Sequence, residues 1–185
     1  IDQQIGVELK NDSVWHTFTT TGDTGSGLEL TFSFPALYDQ EYKGTKRWEN
    51  EVRVEIQYKL TSESDWKSHY TYERRKIYRN IPLNPDWFNV AGWDSFLYVG
   101  QSVSMVAGGI KYPAVVIAKQ EIRVNDIAYT SYRLNINIPA GATEVERAIP
   151  YVAIIGKYLT AFNYVVRIDT GEAGQYDVRA RCVYK

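Results

Sequence analysis

Residues 51–60 alternate without a break between apolar and polar side chains. Val52, Val54, Ile56, Tyr58 and Leu60 interleave with Glu51, Arg53, Glu55, Gln57 and Lys59. Side chains on a strand point to opposite faces with period two, so the stretch predicts a half-buried β-strand with one oily and one charged face. A helix would spread the same charges around its whole circumference. The period recurs in Leu28, Leu30, Phe32 and Phe34, ended by Pro35; in Tyr132, Leu134, Ile136 and Ile138; in Tyr164, Val166 and Ile168; and in Tyr176, Val178, Ala180 and Cys182. Residues 5–9 and 14–21 read as further strands, and residues 152–155 are apolar on both faces. Many one-sided strands separated by turn signals predict a β-sandwich.

The punctuation between these strands is equally specific. Asn11, Asp12 and Ser13 make a turn by local side-chain hydrogen bonding. Residues 22–27 form a loop in which no helix and no lysine follow, so it lacks the logic of a phosphate cradle. Residues 36–50 read as a long loop bent at Gly44. The polar turn 61–65 pairs the strand 51–60 with a return strand from Trp66 through Tyr72. Residues 169–174 join the last two strands as a hairpin. Between 81 and 118 only Asp86, Asp94 and Lys111 are charged, and Gly100, Gly108 and Gly109 divide the apolar sequence, 112–117 included, into short strands. Two short helices are expected: one starting at Asn84 and Pro85 and stopping at Gly92, and one turn on a capping box from Thr143 to Glu146, ahead of Pro150.

With 185 residues, 44% of them hydrophobic and 23% charged, the chain can bury a real core and is not a disordered one. Aromatics reach 14%, with 15 Tyr and 5 Trp; these residues suit both strands and interfaces. The 21 basic and 22 acidic side chains leave a net charge of −1, which gives no electrostatic case for nucleic acid. Cys182 is the only cysteine, so no intrachain disulfide forms, and its inward position predicts a core thiol. No run reaches the length of a membrane span and no leader pattern is seen; the abrupt ends suggest a domain cut from a longer protein.

Candidate chemistry is sparse. His16 and His69 have no ligand spacing, so no metal site and no cofactor is predicted. No glycine-flanked elbow serine marks a nucleophile. The carboxylate pairs Glu63/Asp65 and Asp169/Glu172 sit in turns, where acids occur for backbone reasons. The cluster Glu73, Arg74, Arg75 and Lys76, with Arg79 behind it, reads as a solvated strand edge that discourages edge-to-edge pairing.

Several blocks, in order, resemble the central tail-tip protein of long, non-contractile-tailed bacteriophages, the host-specificity protein J family. They are residues 5–10; residues 27–38, with an ending like the family's FPALY; the Gly44 turn; residues 52–59 with Trp66, like the family's V.IEIQYR…W hairpin; Gly156 and Lys157; residues 164–168; and residues 174–181, like its GQYDVRVRR strand. Cys182 stands where family members often carry an arginine. The likeness covers roughly residues 1–70 and 156–185, and about eighty residues intervene where members have a short connection.

The resemblance implies an immunoglobulin- or fibronectin III-like sandwich built from 1–70 and 156–185, carrying an inserted β-rich subdomain over 71–155. It implies a structural, non-enzymatic domain of a phage or prophage tail tip, with other tail-tip subunits as partners, a homotrimer in the full-length protein, a host surface receptor, and a place in the virion after synthesis in the bacterial cytoplasm. No catalytic residue is transferable from the family. The low charge and clustered aromatics of the intervening stretch make Trp87, Phe88, Trp93, Phe96 and Tyr98 candidate interface residues, although aromatics in strands are most often core. A carbohydrate-binding sandwich, stacking Trp and Tyr on sugar rings, is the alternative, and a glycosidase is the third.

Overall fold

The computed structural model describes residues 8–10, 12–21, 25–79, 84–92 and 96–184, and all regular structure among them is β. In chain order the first strands are β1 (His16–Thr19), β2 (Gly25–Phe34), β3 (Asp39–Gln40), β4 (Arg47–Trp48), β5 (Asn50–Leu60) and β6 (Lys67–Ser68). Then follow β7 (Thr71–Lys76), β8 (Trp87–Ala91), β9 (Ser102–Ala107), β10 (Ile110–Val124), β11 (Ile127–Leu134) and β12 (Ala142–Ile149). The chain closes with β13 (Val152–Gly156), β14 (Phe162–Gly174) and β15 (Tyr176–Tyr184). It divides into two compact units, Ile1–Thr71 with Pro150–Lys185, and Tyr72–Ile149.

The first unit is a sandwich. One sheet runs β1-β15-β5-β13 with β6 also on β5; the other is the pair β14-β2. Alternation in β5 places Val54 and Ile56, each 1% exposed, on the inner face. They meet Val152, Ile154, Tyr176, Val178 and Ala180 from the same sheet and Leu28, Leu30, Phe32, Phe34, Val166 and Ile168 from the facing one. Cys182 lies buried on the inward side of β15.

One edge of β5 is shared by two strands laid end to end. β6 pairs Lys67 with Tyr58 and Ser68 with Gln57, and His69 N–H donates to the Ile56 carbonyl at 2.9 Å. β13 takes over at Val152, opposite Val54, and continues to Gly156 opposite Asn50. Only Glu55 lies between the two paired stretches. The Thr71 hydroxyl donates to the Tyr151 carbonyl at 2.7 Å, joining the chain where it leaves to the chain where it returns.

The second unit has one sheet, β7-β12-β9-β10-β11-β8. A single sheet can enclose a core only by curling, and here Tyr78, just past β7, bridges Asn89 in β8 through N–H to carbonyl bonds of 2.8 and 3.1 Å. The fifteen-residue β10 serves both halves, pairing β9 over 110–115 and β11 over 116–124 with a register shift after Val116. Two two-residue turns set its ends. Gly108 and Gly109, at φ 56 and 83, join β9 to β10, and Asn125 and Asp126, at φ 48 and 64, join β10 to β11. Positive φ at both central residues suits the right-handed twist of a hairpin. The core holds Ile77, Phe88, Phe96, Leu97, Met105, Val116, Tyr132, Leu134 and Val145, among others.

Several expectations are corrected. Neither short helix forms. Asn84 to Trp87 is a turn closed by a 3.0 Å bond from Trp87 N–H to the Asn84 carbonyl, after which β8 pairs with β11. Thr143 to Glu146 lies inside β12, held by β9; pairing satisfies more backbone groups there than one isolated turn could. β14 and β15 are not hairpin partners: one pairs with β2 and the other with β5, so the connection after Asp169 passes between sheets. The return strand from Trp66 breaks, with β6 in one sheet and β7 in another. Gly25 to Gly27 belong to β2, and Ile136 and Ile138 fall beyond the end of β11. The loop 36–50 contains the small β3–β4 hairpin. Of the proposed strand 5–9, residues 5–7 lie outside the described residues and 8–9 are not strand.

Ile56→Ala should lower the free energy of unfolding by about 2–5 kcal/mol, the usual cost of emptying a packed aliphatic site. Urea denaturation would measure it, and a loss below about 1 kcal/mol would contradict the central position given to β5.

Candidate interaction surfaces

The five aromatics singled out in the sequence do not form one surface. Phe88 is 0% and Phe96 2% exposed; Phe88 stacks on Tyr132 with centroids 5.5 Å apart. Phe96 is covered by two guanidinium groups, Arg75 at 4.4 Å and Arg147 at 4.6 Å. Trp87 is half-buried at the start of β8, and Trp93 lies outside the described residues. Among the described members of the five, Tyr98 alone is well exposed, at 65%, and Val99 beside it at 57%. Their turn is built to hold that position. Gln101 N–H donates to the Tyr98 carbonyl at 3.1 Å, Gly100 has φ 94 as the third turn residue requires, and the Gln101 side chain accepts from Tyr98 N–H at 3.1 Å. Bonds of 2.8 and 3.0 Å tie Gly100 and Gln101 to Val116, next to exposed Ile117.

The basic cluster on β7 is at a sheet edge, yet it is paired rather than merely solvated. Arg74 donates to Glu146 at 2.6 Å and Lys111 to the other Glu146 oxygen at 2.6 Å. Tyr72 lies under the Lys111 ammonium, 4.8 Å from it. Glu146 is therefore only 4% exposed although it points away from the core. Burial by itself would raise its carboxyl; hydrogen bonds from Lys111 and Arg74, with their charges, outweigh that and hold it below its ordinary value. On the core side, Glu73 accepts from Arg147 at 2.6 Å and from Arg75 at 3.2 Å.

On the sandwich, the polar face of β5 meets that of β15. Arg181 reaches Glu55 at 2.6 Å, Lys59 reaches Asp177 at 3.3 Å, and Arg179 Nε reaches Gln57 at 2.8 Å. The Arg179 guanidinium sits between two indoles, 4.5 Å from Trp15 and 4.1 Å from Trp66. Burial and then the neighbouring Arg181 lower its pKa. Trp66 was read only as a hairpin marker and Trp15 as a strand residue. Their partnership becomes visible once β1, β15 and β6 are known to share a sheet with β5.

A shallow cleft of about 360 Å³ opens beside the β3–β4 hairpin, lined by Thr45, Lys46, Arg47, Trp48, Lys157 and Leu159. Sequence reasoning passed over it because its two segments are a hundred residues apart and neither carries a motif. The turn acids Glu63, Asp65, Asp169 and Glu172 do not line it. Among the described residues no three His, Cys, Asp or Glu side chains are grouped to hold a metal, and no helix is long and apolar enough to cross a membrane.

Glu146→Gln should cost about 1–2 kcal/mol at pH 7, because two half-exposed cations lose a charged partner. A carboxyl held low in the folded state adds stability above its unfolded value, near 4.5, and loses it as pH falls through the folded one. Wild-type stability should thus fall further than that of the variant on acidification below about pH 4.5. Parallel acid dependence in urea titrations would remove the Lys111–Glu146–Arg74 network as its source.

Comparison with known families gives a match to the one described as tip attachment protein J, FNIII-A domain, over residues 1–77. No curated protein and no solved structure matches the chain. The matched residues include β1 to β6, hence the central strand β5 and, from the facing layer, β2, both parts of a two-layer sandwich of the kind a fibronectin III-type domain has. Over residues 1–77 the chain is similar to the FNIII-A domain of tip attachment protein J.

Proposed function

We propose that this chain is a structural, non-catalytic part of a phage or prophage tail tip, contributing to tail-tip assembly and to host attachment. The observation that carries the reading is the match of residues 1–77 to the FNIII-A domain of tip attachment protein J, a segment that supplies strands to both layers of the sandwich. Its partners are other tail-tip subunits, with a homotrimer in the full-length protein and a receptor on the host surface; it is made in the host cytoplasm and ends in the virion.

In this reading the stretch expected as an insertion, 71–155, is a subdomain carried by the sandwich framework, except that residues 150–155 belong to the framework itself. Supporting it, the compact units divide between Thr71 and Tyr72 and between Ile149 and Pro150. The chain leaves β5 opposite Ile56 and rejoins it opposite Val54, so the intervening residues need not disturb the sheet. The insertion offers the turn of Tyr98 and Val99 as its contact surface. Two apolar side chains held out on a hydrogen-bonded turn lose little freedom when a partner covers them.

Gold-labelled antibody against this domain should decorate the distal end of tails in electron micrographs; label elsewhere, or tails free of label, would overturn the reading. Within the full-length protein, Tyr98→Asp with Val99→Asp should leave the melting temperature of the domain unchanged and lower the yield of assembled or host-adsorbing tails by about tenfold, a loss on the order of 1.4 kcal/mol at the contact. Normal assembly and adsorption would sink the contact surface and leave the tail-tip reading standing.

A further inference from the structure

The cleft beside the β3–β4 hairpin gathers three cations on one lining. Many cations elsewhere meet acids: Arg53 with Glu51, Lys59 with Asp177, Arg74 and Lys111 with Glu146, Arg133 with Asp86, Arg147 with Glu73, Arg167 with Glu29, and Arg181 with Glu55. The cleft is lined by three cations, Lys46, Arg47 and Lys157, and by no acid. Asp39 faces Trp48 across the hairpin, but it does not line the cleft. Among the described residues none of the three cations is in an ion pair. Like charges gathered without a counter-charge repel one another and attract an anion.

The cleft is also apolar on one flank. Trp48 is 49% exposed and Leu159 51%. An indole face beside cations presents two complementary features: a flat apolar surface for the C–H face of a sugar ring, and donors for its anionic substituent.

Its two sides are braced. Leu37, 4% exposed, exchanges backbone hydrogen bonds of 2.9 and 2.7 Å with Tyr158, which sits between Lys157 and Leu159. The Tyr158 ring packs tilted against Phe162, centroids 4.2 Å apart, and Phe162 stacks on Phe34 at 4.9 Å. The same ring covers Gly156 so closely that a Cβ there would fall 2.2 Å from it and push the ring aside. On the other side the Arg47 guanidinium rests 4.8 Å from the Tyr38 ring. The hairpin end is closed by bonds from Glu41 N–H to the Lys46 carbonyl at 3.1 Å and from Gly44 N–H to the Glu41 carbonyl at 3.0 Å. A braced cleft keeps its cations in place without a ligand, so less ordering is needed on binding.

We infer that this cleft binds an anionic sugar residue of a polysaccharide, with Trp48 against the ring and Lys46, Arg47 and Lys157 around its carboxylate or phosphate. The inference stands apart from the tail-tip reading, since it uses only the cleft's own residues and its outcome leaves the location of the protein in a tail untouched.

Titration calorimetry of the whole chain with three probes tests it: oligogalacturonate for carboxylate, phosphomannan oligosaccharide for phosphate, and dextran as the neutral control. At least one anionic probe should bind, and its affinity should fall as salt is raised, because exposed charges are screened. The variant Lys46→Gln, Arg47→Gln, Lys157→Gln should bind it at least about tenfold more weakly. Trp48→Ala should lose a similar factor while keeping the salt dependence. Both variants change exposed side chains, and an unaltered melting temperature would show that the fold is intact. Carboxylate-only or phosphate-only binding would identify the substituent. Dextran binding as tightly as the anionic probes, no binding by either anionic probe, or unchanged affinity in the triple variant would each overturn the inference.

Discussion

The sandwich depends on one strand having two incompatible faces. The apolar face of β5 supplies the centre of the core, and its polar face supplies hydrogen-bonding partners for β15. A register slip of one residue would send Glu55 and Gln57 inward and Val54 and Ile56 outward. The ladder with β15 is therefore specified twice: by burial on one side, and by Glu55–Arg181, Gln57–Arg179 and Lys59–Asp177 on the other. Trp15 and Trp66 then cover Arg179, so that a charged side chain on the outer face is held as firmly as an inner one.

The same strand explains how so much chain can lie between two neighbours in a sheet. β6 and β13 are successive parts of one edge, broken opposite Glu55. A sheet edge tolerates such a break because only the bonds at the break are lost. The core beneath it is unaffected, since Val54 and Ile56 remain covered by β13, β15 and the facing layer. The second unit solves a different problem. With one sheet and no second layer, it buries its core by curling until Tyr78 meets Asn89. The polar side chains drawn inside are paired there: Asn89 donates to the Tyr78 carbonyl at 3.2 Å and accepts from Ser131, and Thr130 donates to the Gly92 carbonyl at 2.9 Å. Unpaired, each would weigh against folding by about 1–3 kcal/mol.

Charge follows the same division. Several cations are neutralised by acids that the fold brings alongside from far away in sequence, as Arg74 and Glu146 are. Where the β3–β4 hairpin meets the segment after β13, no acid is supplied. That local imbalance distinguishes the cleft from a chain whose net charge is only −1.

What the sequence by itself determined was what period-two alternation can report: the existence and inner faces of β5, β2, β14 and β15, the inward position of Cys182, and the all-β class. The blocks resembling the J family lie largely on those strands, which is why that recognition could be made from sequence. Alternation is silent about partners. It could not tell that β14 and β15 lie in different sheets, because the turn-like residues Asp169 to Gly174, which fold as the irregular end of β14, read equally well as a hairpin. Nor could local propensity place Thr143 to Glu146 in a strand, since a capping box is a local signal and pairing with β9 is not. The aromatics of 81–118 show the limit most plainly: Phe88 and Tyr98 are both aromatics in a sparsely charged stretch, yet one is sealed against Tyr132 and the other stands out on a turn. Only tertiary structure decides which, because exposure depends on what the rest of the chain brings alongside.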